Sequence, residues 1–200
     1  MKRFILPIIS LFAVLLISEK AQAQFLENSF ASVGIGVNAT ILHPRSPKTW
    51  GNAGLAAEIN VGKWWNPYIG TRLGFHGFRN QCAQELDTQA IPAGQSFNFH
   101  YIHADFLYCL TSSIMGPDKT DRIWDLSLQV NTGALKVAKA YSWGIGAGIL
   151  NEFRVSPTIG LTVDLQAIAT KPSAFTSSGG RLAIFPAATV GVSFNLGEIF

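Results

Sequence analysis

The chain has 200 residues, of which 48% are apolar and 14% are charged, and its formal net charge is +3. This composition excludes a disordered chain, and the absence of an internal apolar run of ~18 residues excludes a bundle of transmembrane helices. The excess of basic residues comes mostly from the first 20 positions, so it indicates no nucleic-acid partner.

Residues 1–23 have the parts of a secretory signal peptide. Lys2 and Arg3 precede an apolar stretch from Phe4 to Ile17, and Ala21-Gln22-Ala23 supplies small residues for cleavage. A retained anchor is the alternative, but the stretch is shorter than the ~18 residues that span a bilayer. We therefore predict an exported protein whose single domain covers residues 24–200.

From residue 29 onward the apolar side chains recur with a period of two, which is typical of β-strands with two different faces. Leu55, Ala57, Ile59 and Val61, for example, alternate with Glu58 and other polar residues. Eight such segments begin at Ser29, Leu55, Ile69, Asn98, Trp124, Trp143, Ile159 and Ile184. Many of these segments are longer than the usual ~5–6 residues of strands in soluble proteins. They are long enough for tilted strands to cross a bilayer, which requires ~9–11 residues. The pattern predicts an all-β, eight-stranded antiparallel up-and-down transmembrane β-barrel.

The connections differ in length between the two sides of this barrel. Trp65-Asn66-Pro67, Val155-Ser156-Pro157 and a polar turn from Met115 to Asp121 lie on one side. The other side has the longer segments Ile41–Gly51, Arg79–Phe97, Val137–Tyr141 and Lys171–Arg181. Outer-membrane barrels have short periplasmic turns and longer extracellular loops. We therefore expect both termini in the periplasm of a Gram-negative cell.

Aromatic residues recur near the strand ends on the side of the short turns. Amphipathic rings prefer the headgroup zone of a bilayer, so these residues predict a periplasmic aromatic girdle. The expected members are Trp64, Trp65, Tyr68, Trp124, Phe153 and Phe194.

The polar face of each strand should line the barrel interior, which in an eight-stranded barrel is filled by side chains. Buried charges need partners, and Arg72 is the natural hub of such a network because it lies in mid-strand. The predicted interior network consists of Glu58, Arg72, His103, Asp105, Asp125, Glu152 and Asp164. We expect it to be structural, whereas His43 and His76 should be solvated near the outer rim.

Several stretches resemble the eight-stranded OmpA-like barrels of Bacteroidetes-type bacteria. They are Gly62–Gly74, Asp121–Asp125 and Gly144–Ser156. The resemblance implies an outer-membrane barrel, and it covers the barrel part only, without the C-terminal peptidoglycan-binding domain of full-length members. The last strand also resembles the signal that the barrel-assembly machinery recognises. Its matching positions are Thr189, Gly191, Phe194 and Leu196.

Catalytic and metal-binding patterns are weak. A lipid A deacylase of this architecture would need His and Ser two positions apart, and His-x-Ser does not occur in the sequence. The four histidines lack metal-ligand spacing, so we expect no metal and no cofactor. A lipid A-modifying enzyme remains one alternative, and an exported soluble barrel that binds a small apolar ligand is another.

The favoured function is a monomeric, non-catalytic outer-membrane barrel that contributes to envelope structure or surface contact through its loops, especially Arg79–Phe97. The outer rim has a basic bias, for which simple solvation of the loops is the alternative explanation. The basic residues are Arg45, Lys48, Arg79, Lys136, Lys139, Lys171 and Arg181. Basic residues at a membrane surface attract anionic lipids. We therefore expect outer-membrane lipids and lipopolysaccharide as partners.

Overall fold

The computed structural model describes residues 26–40, 53–81, 96–118, 122–137, 140–171 and 183–198. The predicted signal peptide and most of the predicted long loops, including residues 82–95, lie outside these residues. The described elements are β1 (Ser29–Asn38), β2 (Gly54–Trp64), β3 (Ile69–Gln81), β4 (Ser96–Cys109), α1 (Leu110–Met115), β5 (Trp124–Val137), β6 (Ala140–Arg154), β7 (Ile159–Thr170), β8 (Ala183–Asn195) and a 3₁₀ segment (Leu196–Glu198).

The eight strands form one closed barrel in which each strand pairs antiparallel with its neighbours in sequence. The barrel closes where β1 pairs with β8 from Phe30↔Asn195 to Asn38↔Ala187. Closure pairs the backbone groups of every strand on both sides, as a strand in hydrocarbon requires. The predicted fold class is confirmed. Among the described residues, no helix is both long enough and apolar enough to cross a membrane.

We call the end that carries residues 28 and 195 the terminal end, and the opposite end the loop end. Two similar turns close the terminal end. Asn66 Oδ1 accepts hydrogen bonds from the backbone of Tyr68 and Ile69, at 2.8 Å each. In the second turn, Ser156 Oγ accepts one from the backbone of Ile159 at 3.0 Å. A side-chain acceptor followed by proline therefore fixes both hairpins.

The connections differ from the sequence prediction in three places. β3 extends to Gln81 and β4 begins at Ser96, so both ends of the predicted loop Arg79–Phe97 belong to strands. Helix α1 begins the β4–β5 connection, where we expected only a polar turn; it ends at Gly116, whose φ of 98° favours glycine. At the loop end, β5 continues to Val137 and β6 begins at Ala140, so the expected longer loop Val137–Tyr141 is wrong. β5 and β6 reach Val137 and Ala140 because the described side chains of both strands keep alternating between the two faces up to these residues.

The apolar residues of most strands point outward. Leu55 is 76% exposed and Ile59 is 58% exposed, whereas Glu58 between them is 3% exposed. The exposed apolar surface continues around the barrel on every strand, which is far more than a soluble monomer presents. This orientation is the reverse of a soluble barrel that binds an apolar ligand with an apolar interior.

Candidate functional site: the barrel interior

Arg72 joins four strands at the centre of the barrel. From β3, its Nε donates to Asp105 on β4, and its Nη2 donates to Gln129 on β5 at 2.7 Å and to Asp164 on β7 at 3.0 Å. Gln129 Nε2 in turn donates to Asp164 Oδ1 at 2.5 Å. His103 Nδ1 contacts the other oxygen of Asp105. The guanidinium charge is therefore matched by two carboxylates, both fully buried.

A second group of polar residues extends from this centre toward the loop end. Glu58 Oε2 lies 2.9 Å from His76 Nε2, and Gln166 Nε2 lies 2.7 Å from the same nitrogen. Asn131 donates its Nδ2 to Gln166 Oε1 at 3.3 Å, and its Oδ1 accepts a hydrogen bond from the Tyr101 hydroxyl at 2.8 Å. These side chains cross-link β2, β3, β4, β5 and β7.

His76 differs from the sequence prediction, because it is fully buried and not solvated at the outer rim. It lies four positions after Arg72 on β3, and side chains an even number of positions apart on a strand face the same side. The alternation itself therefore indicates an inward position. The centroids of the His76 and His103 rings are 5.0 Å apart. His43 lies outside the described residues.

Asp125 and Glu152 point inward as the pattern predicts, but each belongs to a separate cluster near the terminal end. Asp125 Oδ1 accepts from Thr111 Oγ1 at 2.7 Å and lies 2.7 Å from Arg122 Nε. Glu152 Oε1 accepts from Ser193 Oγ at 2.6 Å. Arg72 thus contacts two of the five predicted carboxylates, and the single network expected from the sequence divides into local groups.

The barrel interior narrows from the terminal end toward Arg72. A cavity of about 580 Å³ opens at the terminal end and is lined by polar turn residues, among them Asn28, Asn66, Arg154 and Asn195. A second, smaller cavity continues from it to Glu58 and Arg72. A polar vestibule therefore opens at the terminal end and extends to the Arg72 group, while the buried side chains of Leu107 and Cys109 fill part of the same half.

The interior near the loop end contains an apolar cluster beside buried polar residues such as Asn80 and Thr40, whereas the sequence predicted a polar lumen throughout. Phe99 stacks on Phe78 at a centroid distance of 4.8 Å and contacts Phe185 at 4.6 Å. Leu135 and Ile168 belong to the same buried cluster. We call this group the apolar plug. It fills the barrel on the loop side of the polar groups.

The six predicted girdle residues divide into two groups. Trp65, Trp124, Phe153 and Phe194 are among the exposed apolar residues near the terminal end, and Tyr68 lies in the β2–β3 turn. Trp64 instead lines both interior cavities and lies 6.3 Å from Phe30. It has the inward parity of Glu58 on β2, so its placement in the girdle was wrong. Tyr108, which is outward and 37% exposed, was missed.

The predicted assembly signal occupies the last strand and the residues after it. Thr189 is buried and Gly191 is half-buried on the inner face of β8, and Phe194 faces outward. Leu196 lies in the 3₁₀ segment that follows, so it is not on the strand as the alternation predicted. The hydrogen-bonded strand ends at Asn195.

Two other expectations concern metals and catalysis. Among the described residues, no group of three or more His, Cys, Asp or Glu side chains could hold a metal ion. The His103–Asp105 pair has the contact that orients a general base. Its described neighbours include Arg72, His76 and Tyr101, and the contacts described for His103 include no Ser, Thr or Cys side chain.

Comparison with known proteins supports an outer-membrane barrel. No family model matches the chain. Outer membrane protein 40 of Porphyromonas gingivalis is 29% identical over 162 residues, which are 72% of this chain and 40% of that protein. The chain thus spans less than half of the length of this relative.

A solved structure shares the architecture of this barrel. Neisserial surface protein A aligns with a TM-score of 0.60 at 13% identity, covering 84% of this chain and 97% of its own. The attachment invasion locus protein of Yersinia pestis covers 84% of this chain and 98% of its own at the same identity, with a TM-score of 0.47. The similarity to outer membrane protein 40, the fold shared with Neisserial surface protein A and the apolar exterior together support a location in a bacterial outer membrane.

Proposed function

We propose that this chain is a non-catalytic, OmpA-like barrel of the outer membrane that stabilises the envelope and makes surface contacts through its loop end. The observation that carries the proposal is the combination of an apolar exterior with an interior occupied by paired charges and an apolar plug. Side chains that satisfy one another in this way hold a scaffold together. They leave the loop end as the surface available for interactions.

The proposal places the terminal end in the periplasm and the loop end at the cell surface. The turns at Asn66 and Ser156 are tight, as periplasmic turns of such barrels are, and β1 begins and β8 ends on the same side. The segments that leave the loop end between β1 and β2, β3 and β4, and β7 and β8 are longer.

Surface labelling tests this orientation. A short epitope inserted at residue 88, in the β3–β4 segment, should be detected on intact cells, whereas the same epitope at Pro157 should be detected only after the outer membrane is opened. The reverse result would contradict the proposed orientation. Both tagged chains should be recovered with outer membranes and should migrate differently before and after heating in detergent.

A deletion strain tests the function. Loss of the protein should increase sensitivity to detergents and bile salts without changing the acyl chains of lipid A. Complementation with the chain should restore resistance. A changed lipid A acyl pattern would instead support the enzymatic alternative and overturn the non-catalytic part of the proposal.

A further inference from the structure

The charged residues of the barrel wall are sorted by sign between its two faces. Every Asp and Glu that the structure describes within a strand has the inward parity of its strand, and the described outward strand positions contain no carboxylate. Three cations face outward on the described strands. They are Lys63 near the terminal end, and Arg79 and Lys136 near the loop end.

Strand register brings the two cations of the loop end close to one histidine. His100 on β4 is the direct partner of Lys136 on β5, and Asn98 on β4 is the direct partner of Arg79 on β3. Directly opposite Cβ atoms are about 5 Å apart and diagonal ones about 7–8 Å apart. Arg79, His100 and Lys136 therefore occupy a patch of the size of one lipid headgroup.

The patch lies where the outward face changes from apolar to polar. On β3 the outward residues run from Leu73 and Phe75 to Arg79, and on β4 they run from Ile102 to His100 and Asn98. Leu73 is 69% exposed and Ile102 is 66% exposed, as expected of side chains in contact with acyl chains. The cations thus follow directly after the apolar belt, at the level of the headgroups.

Neighbouring rings hold two of these side chains in place. The His100 ring stacks on Phe75 with centroids 5.8 Å apart and planes at 21°. Lys136 Nζ lies 5.4 Å from the centroid of the Tyr141 ring. Neither Arg79 nor Lys136 pairs with a carboxylate among the described residues. The patch is therefore partly preorganised, and its positive charge is not neutralised within the described barrel.

We propose that Arg79, His100 and Lys136 form a binding site for the phosphate groups of a lipopolysaccharide in the outer leaflet. Guanidinium and ammonium groups donate charge-assisted hydrogen bonds to phosphate oxygens, and an imidazole N–H adds another donor. Acyl chains of the same molecule would contact Leu73, Phe75 and Ile102 below. This inference rests on the proposed function, because it requires the loop end to face the outer leaflet.

Native mass spectrometry of the full mature chain in detergent micelles tests the site with diphosphoryl lipid A as the probe. Arg79→Gln with Lys136→Gln should weaken binding about tenfold for each lost charge-assisted contact, or about 100-fold together. Lys63→Gln is the matched control, because it removes an outward cation at the other end, and it should bind as the wild type does. Dephosphorylated lipid A should bind the wild type as weakly as the double variant binds the phosphorylated form.

Three results would overturn the site. They are equal binding by the double variant and the wild type, equal loss in Lys63→Gln, and equally tight binding of phosphatidylglycerol by the wild type, which would show no preference for the glycolipid. If the double variant does not fold, the single variants Arg79→Gln and Lys136→Gln each test the prediction at about tenfold. Binding in micelles is independent of orientation, so failure here and failure of the surface-labelling experiment are distinguishable.

Discussion

Arg72 and Asp164 form an ion pair of 3.0 Å across the interior, although 92 positions separate them in the sequence. They lie on β3 and β7, which are not neighbours in the barrel. The pair therefore holds opposite walls together independently of the strand ladders. Through Asp105 and Gln129 the same guanidinium reaches two further strands.

Replacement of Arg72 by Met should destabilise the barrel by about 3–5 kcal/mol, because Asp105 and Asp164 would stay buried without their cation. Urea unfolding of the barrel in lipid vesicles, followed by tryptophan fluorescence, measures the loss. Lys63→Met removes an outward cation of β2 and should cost less than about 1 kcal/mol. The triple variant Arg72→Met, Asp105→Asn, Asp164→Asn should recover part of the loss, and equal stability of Arg72→Met and wild type would contradict the prediction.

Gly74 is needed because two interior side chains occupy the space beside it. A Cβ atom at this position would lie 2.6 Å from His103 Nε2 and would also contact Asn60 Oδ1. Gly74→Ala should therefore cost about 1–3 kcal/mol, as overpacking does. Gly77→Ala on the same strand is the control, because its Cβ would meet only the edge of the Phe75 ring at 3.3 Å. A smaller loss for Gly74→Ala than for Gly77→Ala in the same unfolding assay would refute the argument.

Alternation of side chains predicted the fold and the inward direction of all five strand carboxylates in the interior network. The physical reason is that a barrel in a bilayer needs an apolar exterior over its whole circumference, which imposes one repeating rule on every strand. The same rule, applied to parity and not to residue type, also identifies His76 and Trp64 as inward. Both were misplaced because a histidine and a tryptophan near a strand end were assigned by their chemical preference.

The apolar plug could not be derived from that rule. On β4 the inward positions near the loop end are Phe97, Phe99 and Tyr101, whereas the outward positions are Asn98 and His100. The polarity of the two faces is therefore reversed within one strand. Past the hydrocarbon layer the exterior contacts polar surroundings, and the interior can then be filled by aromatic rings as in a soluble barrel. Pair partners such as Gln129 and Asp164 also depend on register, which no local pattern specifies.

Two groups of side chains, the Arg72 group and the apolar plug, fill the interior at different heights. They predict that the barrel does not conduct solutes. The Arg72 group closes the vestibule, and the apolar plug occupies the loop side. Vesicles containing the protein should swell in sugar solution no faster than empty vesicles, whereas vesicles with a general porin should swell rapidly. Replacing Phe99 by Ala should leave this result unchanged, because the Arg72 group remains. Steady swelling with the wild-type protein would contradict the prediction.

The different surroundings of Trp64 and Trp124 predict different fluorescence quenching. Trp64 lines the polar vestibule, whereas Trp124 faces outward and donates its Nε1 to Asn151 on the same exterior surface at 3.3 Å. In variants that retain only one of the two tryptophans, with Phe at the other tryptophan positions, brominated lipids should quench Trp124 strongly and Trp64 weakly. Water-soluble acrylamide should reach Trp64 from the terminal end, because the vestibule opens there. Strong quenching of Trp64 by brominated lipid would instead show that its ring contacts the bilayer as a girdle residue does. It would contradict the placement of Trp64 in the wall of the vestibule.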